Sequence, residues 1–296
     1  MLSVTNLSGF GGGGAGTVAP DATLDGVTFG NEFDPSDLSN VITGVCWVDG
    51  GDRLLVGEFG GYFHMYDCST AYDISTATRD TGNDGNIRAY TGGYGNGHYG
   101  WFLNDAGTKL WVMSSSTHDI RQVTLSTAYD LTSDSDDGQW NNPELMASPR
   151  NMHWNSDGTE FTISGVWAEL YTYSVSTAYD VTSTTAEVKY ADYGKGTALD
   201  GTDSLQCWTF SHDGTYIYLV GENNTVDVSN DYLIQEWALS TAYDIETATK
   251  ITGSYVNIET LPDPTNRTQE NYTLMPTSTT GLLWTTGYQY IEQLDF

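Results

Sequence analysis

Positive charge is the scarcest commodity in this chain. Ten Lys and Arg face 39 Asp and Glu over 296 residues, a formal net charge of −29. A phosphate backbone is bound by clustered cations, so nucleic acid is excluded as a partner, and an anionic membrane surface is excluded on the same ground. Cysteine is nearly as sparse. Cys46, Cys68 and Cys207 form an odd set with no metal-ligand spacing, which is neither a disulfide framework nor a zinc site. Cys46-Trp47 and Cys207-Trp208 fall at equivalent repeat positions and read as small core hydrophobes. No apolar run reaches the roughly 18 residues of a membrane helix. Met1-Leu-Ser-Val-Thr-Asn lacks the basic and apolar regions of a secretory signal. The sequons at Asn223, Asn266 and Asn271 are therefore expected to be unmodified.

What the chain has in abundance is Tyr (20), Trp (9) and Gly (33), which suits half-buried sheets joined by many turns. One pentapeptide organises it. Ser-Thr-Ala-Tyr-Asp occurs at Ser69–Asp73, Ser126–Asp130, Ser176–Asp180 and Ser240–Asp244, at intervals of 57, 50 and 64 residues. An identical pentapeptide at that spacing marks an array of similar units. Each unit reads as two apolar strands around a Gly-containing turn, a third strand, the pentapeptide and a fourth strand. The turns are Asp49–Asp52, Asn104–Thr108, Asn155–Thr159 and Ser211–Thr215. The fourth strands are expected at Asn86–Tyr90, within Gln139–Met146, at Ala186–Tyr190 and at Ile251–Val256.

A fifth unit, from Asn271, runs out at Phe296 after three strands. The alternating stretch Leu24–Phe29 is the candidate for its missing fourth, since a strand lent from the other terminus removes two exposed sheet edges at once. The expectation is an all-β fold, a five-bladed β-propeller over residues 22–296 closed by an N-terminal strand. The blades would span about 43–90, 100–146, 151–190, 205–256, and 271–296 plus 24–29. Residues 1–21 stand apart as a glycine-rich arm carrying Leu7, Phe10 and Val18, either disordered or ordered only against a neighbouring subunit.

A motif repeated on every blade serves the scaffold, because a ring has one centre and four copies of a motif do not. Tyr72, Tyr129, Tyr179 and Tyr243 are expected to pack at one end of the blades, with Asp73, Asp130, Asp180 and Asp244 accepting bonds from turn amides. The opposite face carries connections that differ between blades. Its Tyr94, Tyr99, Trp167 and Tyr193, with Glu58 and Glu169, would suit stacking on sugar rings or on a protein surface; equally, the aromatics could cover loop cores. Glu58, Asp119 and Glu169 are the acids a glycoside hydrolase would need near the axis. Asp134–Gly138, with Glu144, has the outline of a calcium loop, but Ser133 and Ser135 fill ligand positions poorly and a turn is the simpler reading. No cofactor or metal is expected. The five histidines show no paired spacing, and there is no nucleophile elbow or phosphate-cradling loop.

The Asp-Gly-Thr turns and the strands around them resemble the broad propeller-repeat group that includes lactonase-like and WD-repeat proteins. The run Leu-Ser-Thr-Ala-Tyr-Asp at 125–130 and 239–244, with Val175 and Cys68 in place of Leu elsewhere, is similar to repeats of tailed-phage virion proteins, notably from marine phages. The opening Ser3–Gly14 also resembles the start of phage structural proteins. That resemblance implies a virion component: a tail or head fibre, a decoration protein or a receptor-binding module. It would be assembled in the host cytoplasm, attach to other virion proteins by its arm, and meet a host glycan or protein, with homo-oligomerisation open. The resemblance carries over no catalytic residues. The alternatives are a carbohydrate-active enzyme using axial carboxylates and a cellular propeller scaffold.

Overall fold

The computed structural model describes residues 24, 28–35, 38, 42–58, 60–86, 100–104, 106–114, 119–141, 151–164, 169–193, 202–223, 231–257, 274–276, 281–285 and 291–295. Its regular structure is antiparallel sheet in a propeller arrangement, with single 3-10 turns at fixed places in the repeat.

Four sheets are each built from consecutive strands. Strand β1 (Thr28–Phe33) lies outside them. The first sheet is β2 (Ile42–Val48), β3 (Arg53–Glu58), β4 (Tyr62–Cys68) and β5 (Ala77–Asn86). The second is β6 (Gly100–Leu103), β7 (Lys109–Met113), β8 (Asp119–Leu125) and β9 (Asp134–Asn141). The third is β10 (Asn151–Trp154), β11 (Glu160–Ser164), β12 (Glu169–Val175) and β13 (Thr184–Asp192). The fourth is β14 (Thr202–Phe210), β15 (Tyr216–Asn223), β16 (Asp231–Leu239) and β17 (Ala248–Asn257). A composite four-stranded sheet joins β18 (Leu274–Pro276), β19 (Gly281–Thr285) and β20 (Ile291–Asp295) to β1, in the order β1-β20-β19-β18. The first strands of the sheets neighbour one another in a cycle: β2 touches β6, β6 touches β10, β10 touches β14, β14 touches β18, and β18 touches β2.

The apolar pattern explains why the sheets stand face to face. The inner three strands of the complete sheets carry buried apolar residues on both sides; β2 is buried along its whole length. Strands buried on both faces read as continuous apolar runs rather than alternations. One cluster joins the first and second sheets through Phe63, Met65, Trp101 and Val123. Others join the second and third through Trp111, Trp154 and Phe161, the third and fourth through Leu170, Trp208 and Trp237, and the first and composite sheets through Tyr66, Phe33 and Ile291. The three cysteines are buried and none is in a disulfide, and burial with nearby aspartates pushes the Cys68 thiol up to about 11.

The structure moves several sequence-based boundaries. The lent strand begins at Thr28, not Leu24, with Phe29 opposite Leu294 and Phe33 opposite Ile291. The fourth strands of the first two sheets start directly after the pentapeptide turn, at Ala77 and Asp134, rather than near Asn86 and Gln139. The reason is their place at the outer rim. One face of β9 meets solvent, so Asp-Ser-Asp-Asp-Gly-Gln-Trp-Asn carries no apolar alternation to find. The stretch 134–138, read as a turn or calcium loop, is part of that strand. Asp137 accepts from Lys109, Gln122 and Thr124, and the Lys109 hydrogen bond is the main reason its carboxyl sits below the usual range.

Candidate functional site

The pentapeptides build the first of two recurrent constructions. Tyr72, Tyr129, Tyr179 and Tyr243 all adopt left-handed backbone, with φ between 57° and 61°. This conformation is costly for a tyrosine. It is held because each tyrosine amide donates to the carbonyl of a turn glycine in its own sheet, Gly51, Gly107, Gly158 or Gly214, at 2.8–2.9 Å. The ring then lies flat over that glycine. A Cβ placed on any of the four would sit 2.3–2.5 Å from ring carbons. Tyr179 and Tyr243 also donate their hydroxyls to Ser156 and His212 carbonyls.

The next residue is the cap. Asp73, Asp130, Asp180 and Asp244 each accept from the amide two residues on and so start a 3-10 turn. The first residue of that turn is Ile74, Leu131, Val181 or Ile245, and each is buried. These turns touch the outer strand of the preceding sheet: 131–133 against β5, 181–183 against β9, 245–247 against β13, and 74–76 against β1. The pentapeptide is thus a clip whose tyrosine and aspartate fix one sheet while the residue after them wedges against the preceding one.

The other candidates are the residues that the sequence assigns to the opposite face. Tyr94, Tyr99 and Trp167, with the arm residues Leu7, Phe10 and Val18, lie outside the described residues. Tyr193 is not exposed, contrary to its reading as a platform. It is 3% accessible, meets Trp237 edge to face, and donates its hydroxyl to the Ile245 carbonyl at 2.9 Å, sealing the wedge of the fourth sheet. Burial pushes its phenol well above the ordinary range. Asp119 is buried, 3.7 Å from the Arg121 guanidinium.

Glu58 is likewise buried, at the end of β3. Its Oε2 lies 2.7 Å from His64 Nε2, and His64 Nδ1 lies 2.7 Å from Arg79 Nη2. A guanidinium only donates, so Nδ1 accepts and the Nε2 proton points at Glu58. Asp84 closes the network with two bonds from Arg79.

Glu169, at the start of β12, is partly open and accepts from two phenols: Tyr171 at 3.1 Å and Tyr190 at 3.2 Å. Tyr171 and Tyr190 are directly opposed on β12 and β13, with ring centroids 5.1 Å apart. Tyr190 is 41% exposed, and Val188 beside it is 43% exposed. Trp140 of β9, on the neighbouring sheet, packs against the same core as Tyr171 and meets Tyr173 at 4.7 Å. Burial first, then the Glu169 charge, raises both phenols, Tyr190 to about 12, so both keep their protons through the neutral range. The result is a rim of rings, two neutral hydroxyls and a carboxylate, equipped to stack on a sugar or a partner side chain and to exchange hydrogen bonds with it. Tyr171 and Tyr190 escape a reading of the sequence because both sit inside strands. A glutamate opening a strand, with tyrosines two residues on and on the partner strand, is the signal that marks them.

Together these features define a propeller whose repeated residues are committed to holding sheet to sheet and whose third sheet carries an open aromatic–carboxylate rim. No family model matches the chain, and no curated protein matches it. Among solved structures it is similar to a protein from Lactobacillus plantarum (13% identity, TM-score 0.46, covering 76% of this chain and 58% of that one). It is also similar to Raptor from Chaetomium thermophilum (8%, 0.43, 85% and 18%) and to the β-propeller domain of Cps50 (Swd1) from Myceliophteria thermophila (11%, 0.44, 87% and 64%). The chain therefore spans less than two thirds of the length of each. At this level of likeness nothing about ligand or activity carries over.

Proposed function

We propose that this chain is a structural and binding protein of a tailed-phage virion. Its N-terminal arm docks on other virion proteins, and a five-bladed ring, with the composite sheet as the fifth blade, presents its rim to a host-surface glycan or protein. The observation that carries the reading is the use made of the repeat. All four pentapeptides are consumed in clips, while the Glu169, Tyr171 and Tyr190 side chains form a partly open rim that the fourth-sheet clip reaches only through the bond of the Tyr190 amide to Glu246. A rigid ring with one variable face is a display scaffold. The likeness of Leu-Ser-Thr-Ala-Tyr-Asp to virion repeats gives the particle its place in the proposal. The net charge of −29 favours solubility and disfavours binding to anionic surfaces.

Deleting residues 1–20 should leave a folded ring that no longer enters particles. Normal incorporation of the truncated chain, followed by mass spectrometry of purified particles, would overturn the docking role. Tyr190→Ala should weaken adsorption of the protein to host surface material by about tenfold, the value of losing one exposed stacking residue worth roughly 1–2 kcal/mol. Adsorption unchanged by Tyr190→Ala and by Tyr171→Ala would remove the rim from the binding face. The enzymatic alternative has its own outcome. Turnover of host polysaccharide that is abolished by Glu58→Gln or Glu169→Gln would replace a binding protein with a depolymerase. Against it stands the engagement of both carboxylates, Glu58 with a buried histidine and Glu169 with two phenols.

A further inference from the structure

Four sheet-to-sheet seams are wedged by the residue after a pentapeptide; the fifth, between β17 and the composite sheet, has no pentapeptide to supply one. Leu24 occupies it. Leu24 is 2% exposed, and its amide donates to Ser254 Oγ of β17 at 2.9 Å; Ser254 Oγ in turn donates to Glu236 Oε2 of β16 at 2.6 Å. The arrangement has a counterpart between the second and third sheets, where the amide of the wedge residue Val181 donates to Gln122 Oε1 at 3.1 Å. Gln122 and Glu236 are equivalent positions. Each stands three residues before the leucine, Leu125 or Leu239, whose amide bonds the turn threonine, Thr108 or Thr215. The repeat thus places a neutral amide acceptor at one seam and a carboxyl at the other.

We propose that Leu24 is the fifth wedge, and that Glu236 makes it a proton-dependent latch: closed while the carboxyl is neutral, loosened when it ionises. The latch ties the arm to the ring, because Leu24 lies between residues 1–23 and the closing strand β1. Glu236 is fully buried, and its Oε1 has no hydrogen-bond partner among the described residues. Among the described residues no cation answers it. Tyr218 faces it from β15 and is hydrogen-bonded to it, with Tyr216 and Asp213 further along; Lys250 of β17 sits 5.7 Å from the Trp237 ring centroid; Leu24 contributes an amide and Ser254 a hydroxyl. An ionised carboxylate buried without a countercharge is costly. Burial accordingly raises the Glu236 carboxyl above its ordinary value. For a group raised in the folded state, stability is greatest below the unfolded value and falls as pH climbs through the folded one.

The test uses the full chain and hydrogen exchange at Leu24 and in β1, corrected for the intrinsic pH dependence of exchange. Opening of this segment should become about tenfold more frequent for each pH unit between the unfolded and folded values of Glu236, with β10–β13 unaffected. In Glu236→Gln, which installs the Gln122 arrangement, that dependence should vanish, and the melting temperature should rise at pH 8 but not at pH 4. Exchange at Leu24 that is independent of pH in the native protein overturns the latch. So does a Glu236→Gln protein that is less stable than the native one at pH 8. Neither outcome depends on particles, so the latch and the virion reading fail separately.

Discussion

Replacing Gly51 by Ala lowers the melting temperature by about 6–12 °C, while Gly50→Ala, one residue earlier in the same turn, lowers it by about 2–4 °C. Both glycines have positive φ, 88° and 64°, so both substitutions place an L side chain in left-handed backbone at a cost of about 1 kcal/mol. Only one of them meets an obstacle. A Cβ on Gly50 has nothing within 4 Å, whereas on Gly51 it would stand 2.5 Å from the Tyr72 ring. The ring cannot retreat cheaply. Its amide is bonded to the Gly51 carbonyl, and its other side meets Trp47 at 5.6 Å. Displacing it also shifts Asp73 and the buried wedge Ile74, for a total of roughly 3 kcal/mol. Thermal unfolding of the two variants side by side decides the matter. Equal losses would mean that backbone strain is the whole effect and that the ring-on-glycine contact contributes nothing. The same obstacle stands at Gly107, Gly158 and Gly214, whose missing Cβ faces Tyr129, Tyr179 and Tyr243 in the same way.

This geometry also shows how far the sequence could be read. The period of Ser-Thr-Ala-Tyr-Asp and the Asp-Gly turns were enough to place the strands around each turn, because tight turns and buried strands restrict residue choice locally. The lent strand was legible from a deficit: a unit three strands long needs a fourth, and β1 pairs with β20. Its start was not, because Leu24 looks like the first apolar residue of an alternation while its burial comes from a seam formed with Ser254, 230 positions away. Tyr193 misled for a related reason. A tyrosine beside a glycine-rich connection reads as exposed, and only the wedge of the fourth sheet shows what its hydroxyl serves. Partners distant in sequence leave no local trace. Glu58 is the sharpest instance, since its meaning depends on a histidine one strand away and an arginine one strand further.

His64→Leu should cost about 3–5 kcal/mol of unfolding free energy, and Glu58→Leu/His64→Leu should cost less than that single change. In the native protein the buried Glu58 Oε2 lies 2.7 Å from His64 Nε2, and both side chains are almost wholly shielded from water. Removing the imidazole alone strands a carboxyl where water cannot replace the lost donor, which costs far more than the bond itself was worth. Removing both ends trades the pair for apolar volume, and Arg79 keeps two bonds to Asp84. The location makes the loss more than local. His64 and Tyr66 lie on the same face of β4, and Tyr66 meets Phe33 of β1 edge to face at 5.2 Å. That is the seam between the first sheet and the composite sheet, so the network braces the place where the two ends of the chain meet. A double-mutant cycle by denaturant unfolding measures the coupling. Losses that add within about 0.5 kcal/mol would show that Glu58 and His64 act independently, and the seam would then be held by its apolar contacts alone.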